Sequence, residues 1–296
     1  MIYTLGESLL DIIFETGGKV TATPGGAMLN VAVSLTRRAT KSILISEWGD
    51  DMVGAKIDRF LKENAIDTTF VRRYKNIKTS LALAFLNEEA KPSYSFYKNY
   101  PEKRSLITDI DFNANDFLLF GSLYSLDPAI RNDILTIVKK AKNNGAFVIY
   151  DPNIRHAHHL NNMNIKEAII QNIELCNMIK GSDEDFTNIF GEGDPAFWTN
   201  KIKTINKEAI IINTLGAKGS VADVKGVLIE KSSLPVKVVS TVGAGDAFNA
   251  GMLFKMNQLK NSISNLNNNQ WNDILNTATL FAAEVCGQNE NYVQKN

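Results

Sequence analysis

Between residues 240 and 251 the chain reads Ser240-Thr241-Val242-Gly243-Ala244-Gly245-Asp246-Ala247-Phe248-Asn249-Ala250-Gly251. Gly243 and Gly245 let the backbone turn tightly and come close to a bound group. The run AFNAGMLFKM that follows predicts a helix, and VVSTV before it predicts a strand. Amides at a helix N-terminus carry partial positive charge, so this junction is expected to hold phosphate or a phosphoryl-transfer transition state. An ionised carboxylate beside a phosphate repels it, so Asp246 suits a base that takes a proton from an attacking hydroxyl. An exposed Asp titrates near ~3.9 and is ionised at neutral pH. The competing role for Asp246 is a helix cap, which Asp fills well. A dinucleotide fingerprint would need Gly at position 248, where Phe stands, and no GxxxxGK[ST] loop occurs.

A second glycine-bearing stretch, Ile211-Ile212-Asn213-Thr214-Leu215-Gly216-Ala217-Lys218-Gly219-Ser220, follows another apolar run. Alone it reads as a loop entering a strand. Beside the first turn, at the carboxyl edge of one sheet, it predicts a nucleotide cleft. Near the N-terminus, Pro24-Gly25-Gly26-Ala27-Met28-Leu29-Asn30 leads into the helix VAVSLTRR. There Gly25 and Gly26 allow close backbone approach, and Asn30 offers both donor and acceptor to sugar hydroxyls. Asp11 is placed to accept from two hydroxyls; the bland alternatives are a helix entry and a surface turn. Tyr150-Asp151-Pro152-Asn153-Ile154-Arg155 ends a strand with an acid, an amide and a guanidinium, suited to orienting a polar ligand or to an Asx turn. His156, His158 and His159 lack an acid or Cys at ligand spacing and are assigned no role.

These residues need a frame. Apolar runs at 2–5, 42–46, 117–120, 147–150, 178–179 and 209–213 alternate with amphipathic stretches, the clearest being Ile130 to Asn144. That pattern predicts an α/β fold with a doubly wound, mainly parallel sheet flanked by helices. Two segments differ. Asp11 to Thr23 reads as strand, Gly17-Gly18 turn, strand, and Thr79 to Tyr97 as two strands around a polar turn from Asn87 to Pro92. They predict a small antiparallel β lid, inserted as segments of about 11–24 and 77–100 into a single α/β domain spanning 1–296. An apolar lid face leaves an edge to cover, so a homodimer through the lid is a further expectation. The Asn-rich stretch from Asn257 to Asn276 reads as a polar surface loop between two helices.

With 32 Lys plus Arg against 32 Asp plus Glu, no net field draws nucleic acid or an anionic membrane surface. Two cysteines argue against a disulfide scaffold and fit a reducing, cytoplasmic setting. The start MIYTLGESLLDIIFE lacks a basic n-region, and no apolar run reaches the ~20 residues of a membrane span.

The motifs together resemble the ribokinase/PfkB-type sugar kinases, and among them the fructokinases. The likeness runs from Gly6-Glu7 to about Gly287: GESLLD, PGGAMLNVAVSL, Trp48-Gly49-Asp50-Asp51 with Gly54, TSLALAF, Phe120-Gly121-Ser122, YDPNIR, KGSDED from Lys180, TLGAKG and TVGAGDAF. The resemblance implies a ribokinase-like fold and ATP-dependent phosphorylation of a primary hydroxyl on a small sugar, with Mg²⁺ carried by the nucleotide. It implies Asp246 as catalytic base and the amides of Gly243, Ala244 and Gly245 as the anion hole. Ser182, Thr214, Gly216 and Gly219 would line the nucleotide site; Asp11, Gly25, Gly26 and Asn30 would hold the sugar, and Arg155 the substrate or its phosphates.

Two departures stand out. The signature usually begins with Asp at a position linked to a monovalent cation, where Ser240 weakens or removes the ion site. The family's Asn-x-x-Glu element appears as Ser182-Asp183-Glu184-Asp185, so the magnesium role falls to Asp185 on a shorter arm. The implied acceptor is fructose; ribose, 2-keto-3-deoxygluconate, other ketoses and nucleosides are the alternatives on such a scaffold. A catalytically silent sugar sensor would have lost the base, and a nicotinamide-dependent oxidoreductase needs glycines where Leu5-Gly6-Glu7-Ser8 stands.

Overall fold

Each of the six apolar runs becomes a strand buried in one sheet. The computed structural model describes residues 1–87, 92–154, 163–259 and 263–295. The larger sheet takes β1 (Ile2–Leu5), β4 (Ser42–Gly49), β5 (Val71–Tyr74), β8 (Phe117–Gly121), β9 (Phe147–Asp151), β10 (Met178–Ser182), β11 (Ile210–Thr214), β12 (Ser220–Val224) and β13 (Val227–Lys231). Its order is β13-β12-β11-β10-β9-β8-β1-β4-β5. From β11 to β5 all neighbours are parallel, and β12 and β13 close one edge antiparallel. The order reverses at β1, which lies between β4 and β8, and ligands of open α/β sheets bind outside the carboxyl ends near such a reversal.

Strands buried on both faces need helices on both sides. On one face α3 (Arg131–Asn143), α4 (Met163–Leu175), α5 (Asp183–Phe190) and α6 (Pro195–Ile205) cover Phe120, Tyr150 and Ile211. The spacing anticipated for α3 is met by Ile134, Ile137, Val138 and Ala141, all buried. On the other face α1 (Ala27–Arg37), α7 (Ala244–Leu259) and α8 (Asn268–Cys286) pack around Trp271, Met252 and Met178.

The smaller sheet has four strands in the order β3-β2-β6-β7, made from β2 (Leu9–Phe14), β3 (Val20–Gly25), β6 (Leu81–Leu86) and β7 (Pro92–Tyr97). Both hairpins pair antiparallel, as their turn chemistry anticipates; Gly18 takes φ +80° in the first turn. The two hairpins meet through β2 and β6, which run parallel. The turn anticipated from Asn87 to Pro92 lies mostly outside the described residues.

The lid is tied to the larger sheet by charge. Arg104, on the segment returning from β7, donates from Nε to Glu47 at 3.0 Å, pairs with Asp127, and lies 3.6 Å above the Tyr100 ring. On the incoming side, α2 (Met52–Glu63) is capped by Asp51, whose carboxylate accepts from Gly54 N at 2.9 Å and from the Thr79 hydroxyl at 2.6 Å. Burial works to raise the Asp51 pKa, but the Thr79 and Gly54 bonds outweigh it and hold the carboxyl below its usual range. A depressed folded-state pKa stabilises the fold above the unfolded value and loses that contribution as pH falls through the folded one. Asp51→Ala is therefore expected to cost about 0.5–2 kcal/mol in urea unfolding at neutral pH. The gap from wild type should narrow below about pH 4, and an unchanged gap there would contradict the assignment.

Two expectations are corrected. Residues 238–242 form no strand: the chain from 232 to 241 joins no ladder, and 242–243 form a turn. The β12–β13 hairpin already occupies that edge, and the amides of Val239 and Ser240 donate instead to Cys286 O at the end of α8, at 2.8 and 3.3 Å. The Asn-rich stretch is also no simple loop. Its later half is the first part of α8, begun by a capping box in which Asn267 and Gln270 bond each other's backbone amides.

Candidate active site

Gly243 turns the chain at φ +82° and places Ala244 as the first residue of α7, so the first turn lines a cavity of about 660 Å³, although the Ala244 amide of the expected anion hole donates to Thr241 O at 3.2 Å. The turn has a floor. A Cβ on residue 243 would lie 2.5 Å from Asn291 O, so the C-terminal tail packs directly behind the cradle. Nine residues of α7, from Asp246 to Met256, are buried, which fixes the axis along which the amides point.

Asp246 is the third residue of α7 and lines the same cavity. The sequence reading treats it as exposed; it is 8% exposed, because α1 packs against α7. Asn30, in the first turn of α1 and itself buried, donates from Nδ2 to Asp246 Oδ2 at 2.8 Å. Gly26 caps that helix at φ 124°, where a Cβ would meet Glu7 O at 2.2 Å. Gly25 lies under the Asp11 carboxylate, 1.9 Å from any Cβ there. Asp11, Gly25, Gly26 and Asn30 are thus adjacent, and Asn30 joins them to Asp246. They do not line the cavity of the glycine turn; the hydrogen bond is the link between the two halves.

Ser182, Asp185, Thr214, Gly216 and Gly219 all line that cavity with Gly243, Ala244, Gly245 and Asp246. The two glycine turns share a site, although the 243–245 turn follows an extended loop and not a neighbouring strand. Ser182 caps α5 in a capping box with Asp185. Asp185 accepts from Ser182 N at 2.7 Å and from Ile154 N at 2.6 Å, so its carboxylate is held rigidly. The Ser240 hydroxyl accepts from Val242 N at 3.1 Å and serves the turn. Arg155 lies outside the described residues.

The sequence reading missed three features here. Asp151, offered there as an acid that orients a polar ligand, is instead in a buried cluster with Lys180 and Asn249, which were assigned no role: Lys180 Nζ is 3.2 Å from Asp151 Oδ2, which also accepts from Asn249 Nδ2 at 2.5 Å. The available signal was a lysine inside the apolar run of β10. Leu234, Pro235, Val236 and Val238 with Ala282, Ala283 and Cys286 of α8 give the cavity an apolar wall. Finally, Tyr292 is buried near α2 and shares a 2.9 Å hydrogen bond with Thr23 of β3, so the tail touches both the lid and the cradle.

A family model described as pfkB family carbohydrate kinase matches residues 2–292. A fructokinase of Escherichia coli is 30% identical over 258 residues, covering 85% of this chain and 83% of the relative. The probable chloroplastic fructokinase-6 of Arabidopsis thaliana is 30% identical over 300 residues, covering 97% and 76%. Among solved structures, the fructokinase of Vibrio cholerae with fructose, ADP and calcium ion bound has a TM-score of 0.85 at 22% identity, covering 98% of this chain and 94% of that one. Aminoimidazole riboside kinase from Salmonella enterica, complexed with aminoimidazole riboside and an ATP analogue, has a TM-score of 0.79 at 22% identity, covering 97% and 93%. At that identity the structures speak for a common ribokinase-like fold.

Proposed function

This chain belongs to the pfkB family of carbohydrate kinases, and we propose that it transfers the γ-phosphoryl group of ATP to a primary hydroxyl of a small sugar, with fructose the preferred acceptor. The observation that carries this reading is the Asn30–Asp246 hydrogen bond, which links the polar residues of the lid side to the first turn of α7 and supports Asp246 as the base. Fructose is supported by the relatives at 30% identity, which are fructokinases.

In the proposed reaction the sugar, bounded by Asp11, Gly25, Gly26 and Asn30, presents its hydroxyl to Asp246. The carboxylate takes the hydroxyl proton as the oxygen attacks the γ-phosphorus and the bond to the β–γ bridging oxygen breaks, releasing ADP. Phosphoryl transfer needs alignment and charge stabilisation above all, and the amides of Gly243, Ala244 and Gly245 supply fixed positive dipoles where negative charge spreads. Ser182, Thr214, Gly216 and Gly219 bound the phosphate end of the nucleotide. The apolar wall of Leu234, Pro235, Val236 and α8 suits an adenine ring.

The donor set also fits Mg²⁺. Asp151 Oδ1 is buried without a hydrogen-bond partner among the described residues, and Asp151 and Asp185 face one cavity. Magnesium is commonly held by one or two carboxylates together with substrate phosphates. Bound with the nucleotide, it would neutralise charge on the phosphate oxygens.

The test is ATP consumption over a panel of fructose, ribose, 2-keto-3-deoxygluconate, other ketoses and nucleosides. Fructose-dependent ADP release above every other acceptor is expected. A faster acceptor would transfer the reading to that substrate, and nucleotide and sugar binding without turnover would favour a sensor. The lid also leaves Val20, Phe85, Phe96 and Tyr97 exposed, which supports the homodimer through this sheet. Sedimentation at micromolar concentration is expected to give a dimer that Phe96→Glu weakens; a wild-type monomer rejects it.

A further inference from the structure

Residues 288–296 read QNENYVQKN, a mostly polar stretch. Tyr292 enters the core all the same and is 3% exposed. Its ring centre lies 5.6 Å from that of Phe60 on α2 and 4.6 Å from Arg37 Cζ. A phenylalanine would fill that space as well, so packing explains the ring and not the hydroxyl. The hydroxyl reaches the lid, where it shares a 2.9 Å hydrogen bond with Thr23 of β3. Thr23 stands directly opposite Asp11 in the β2–β3 ladder, so the two side chains share one face. Burial raises the Tyr292 pKa, and the Asp11 carboxylate is among the charges that act on it.

The backbone of the same segment serves the other side. Asn291 stands behind Gly243, its carbonyl oxygen 2.5 Å and its Cα 2.9 Å from where a Cβ on residue 243 would lie. The segment is also pinned in place. Val293 N donates to the Ser34 hydroxyl at 3.3 Å, and Val293 O accepts from Arg37 at 3.0 Å. Gln288, just past α8, donates from Nε2 to Tyr292 O at 2.7 Å. Ser34 lies one turn beyond Asn30 on α1, and Asn30 is the residue that bonds Asp246. Two adjacent tail residues therefore touch the strand opposite Asp11 and the turn that opens α7, while neither lines the cavity.

We propose that Tyr292 is a positioning residue that couples the lid to the amide cradle, its hydroxyl holding β3 and its neighbour Asn291 holding Gly243. This rests on the kinase reading above and adds to it a link outside the cavity. A sugar that settles against Asp11 and Gly25 fixes β3. Through Thr23 and Tyr292 it fixes the tail, and through Asn291 the turn at 243–245. The attacking hydroxyl and the cradle are then held in one frame, where a misplacement of about 1 Å can cost ~10²-fold in rate.

The experiment compares Thr23→Val, Tyr292→Phe and the double variant, each of which keeps shape and removes a hydroxyl. Amide hydrogen exchange is read over residues 241–246 in the protein without ligand. Thr23→Val is expected to speed exchange there by about fivefold, the size of one lost hydrogen bond, although Thr23 lies on the lid. Tyr292→Phe should do the same and the double variant no more than either. Thr23→Ser, which keeps a hydroxyl, should exchange as wild type does. The 214–219 turn, across the cavity, should keep its wild-type rate in every variant. With ATP and fructose, kcat should fall by a similar factor while the KM for fructose stays within about twofold. Unchanged exchange at 241–246 in Thr23→Val, equal acceleration at 214–219, or single effects that add in the double variant overturn the proposal. So does a kcat within about twofold of wild type in an active enzyme. Exchange needs no ligand, so a wild type that phosphorylates no sugar counts against the kinase reading and leaves the Tyr292 result separately readable.

Discussion

Asp246→Asn is expected to lower kcat for sugar phosphorylation by about 10²–10⁴-fold, the range for removing a general base. The substitution keeps shape and leaves a polar partner for Asn30, since either amide can turn its oxygen or its nitrogen toward the other. What is lost is the ability to accept a proton from the attacking hydroxyl. ATP affinity measured by calorimetry should stay near wild type, because the amide cradle, the 214–219 turn and the apolar wall are untouched. A fall in ATP affinity that matched the fall in kcat would point to a structural role for Asp246. A kcat within about tenfold of wild type would remove it as the base.

The second large effect is expected at Gly243. An alanine there must hold φ +82°, which costs about 1–3 kcal/mol for a residue with a Cβ. It must also push back Asn291, whose carbonyl oxygen would be 2.5 Å from the new atom and whose Cα 2.9 Å. Both contacts are to backbone, so the turn and the tail have to move. Misaligned amides should cut kcat/KM for ATP by about 10²-fold or more, the scale of losing a donor to developing charge. Gly191→Ala serves as the control. Gly191 has φ +92° but open space where its Cβ would go, so it carries the backbone cost without the collision. Gly191→Ala should lose about 1–2 kcal/mol in unfolding and keep its turnover. Equal losses of activity in the two variants would mean that the cradle geometry does not control the reaction.

The sequence carried the frame because burial on both faces forces a recognisable pattern. Runs such as Phe117 to Phe120 and Phe147 to Tyr150 have no polar side to show, and the helices between them must turn one apolar stripe inward. The Gly17-Gly18 hairpin was legible for a local reason, the need for φ > 0 at its turn. Local rules fail where a distant partner decides. Val238 and Val239 look like strand residues, yet they are exposed and the nearby amides bond the end of α8, nearly fifty residues later. The Asn267 cap was hidden inside a run of similar residues, of which only its position before Gln270 set it apart.

The site divides the same way. The glycine turns and Asp246 were legible because positive φ, close approach and an acid at a helix start are local chemistry. That Asp246 is buried follows from α1 crossing α7, and no spacing in the sequence shows it. Asp151 and Lys180 lie on the consecutive strands β9 and β10, separated by a helix, so their pairing waits on the sheet order. The role of the tail was equally invisible: QNENYVQKN reads as polar, yet Tyr292 and Val293 are buried and Asn291 supports Gly243.

The most direct measurement of the central claim is the product itself. Wild-type protein with ATP, Mg²⁺ and fructose should give ADP and a sugar monophosphate in equal amounts, with phosphorus–proton correlation NMR placing the phosphate on a primary carbon. ADP release that proceeds at the same rate without any sugar, or a product phosphorylated only at a secondary hydroxyl, would contradict a site built around Asp246 and the α7 amides.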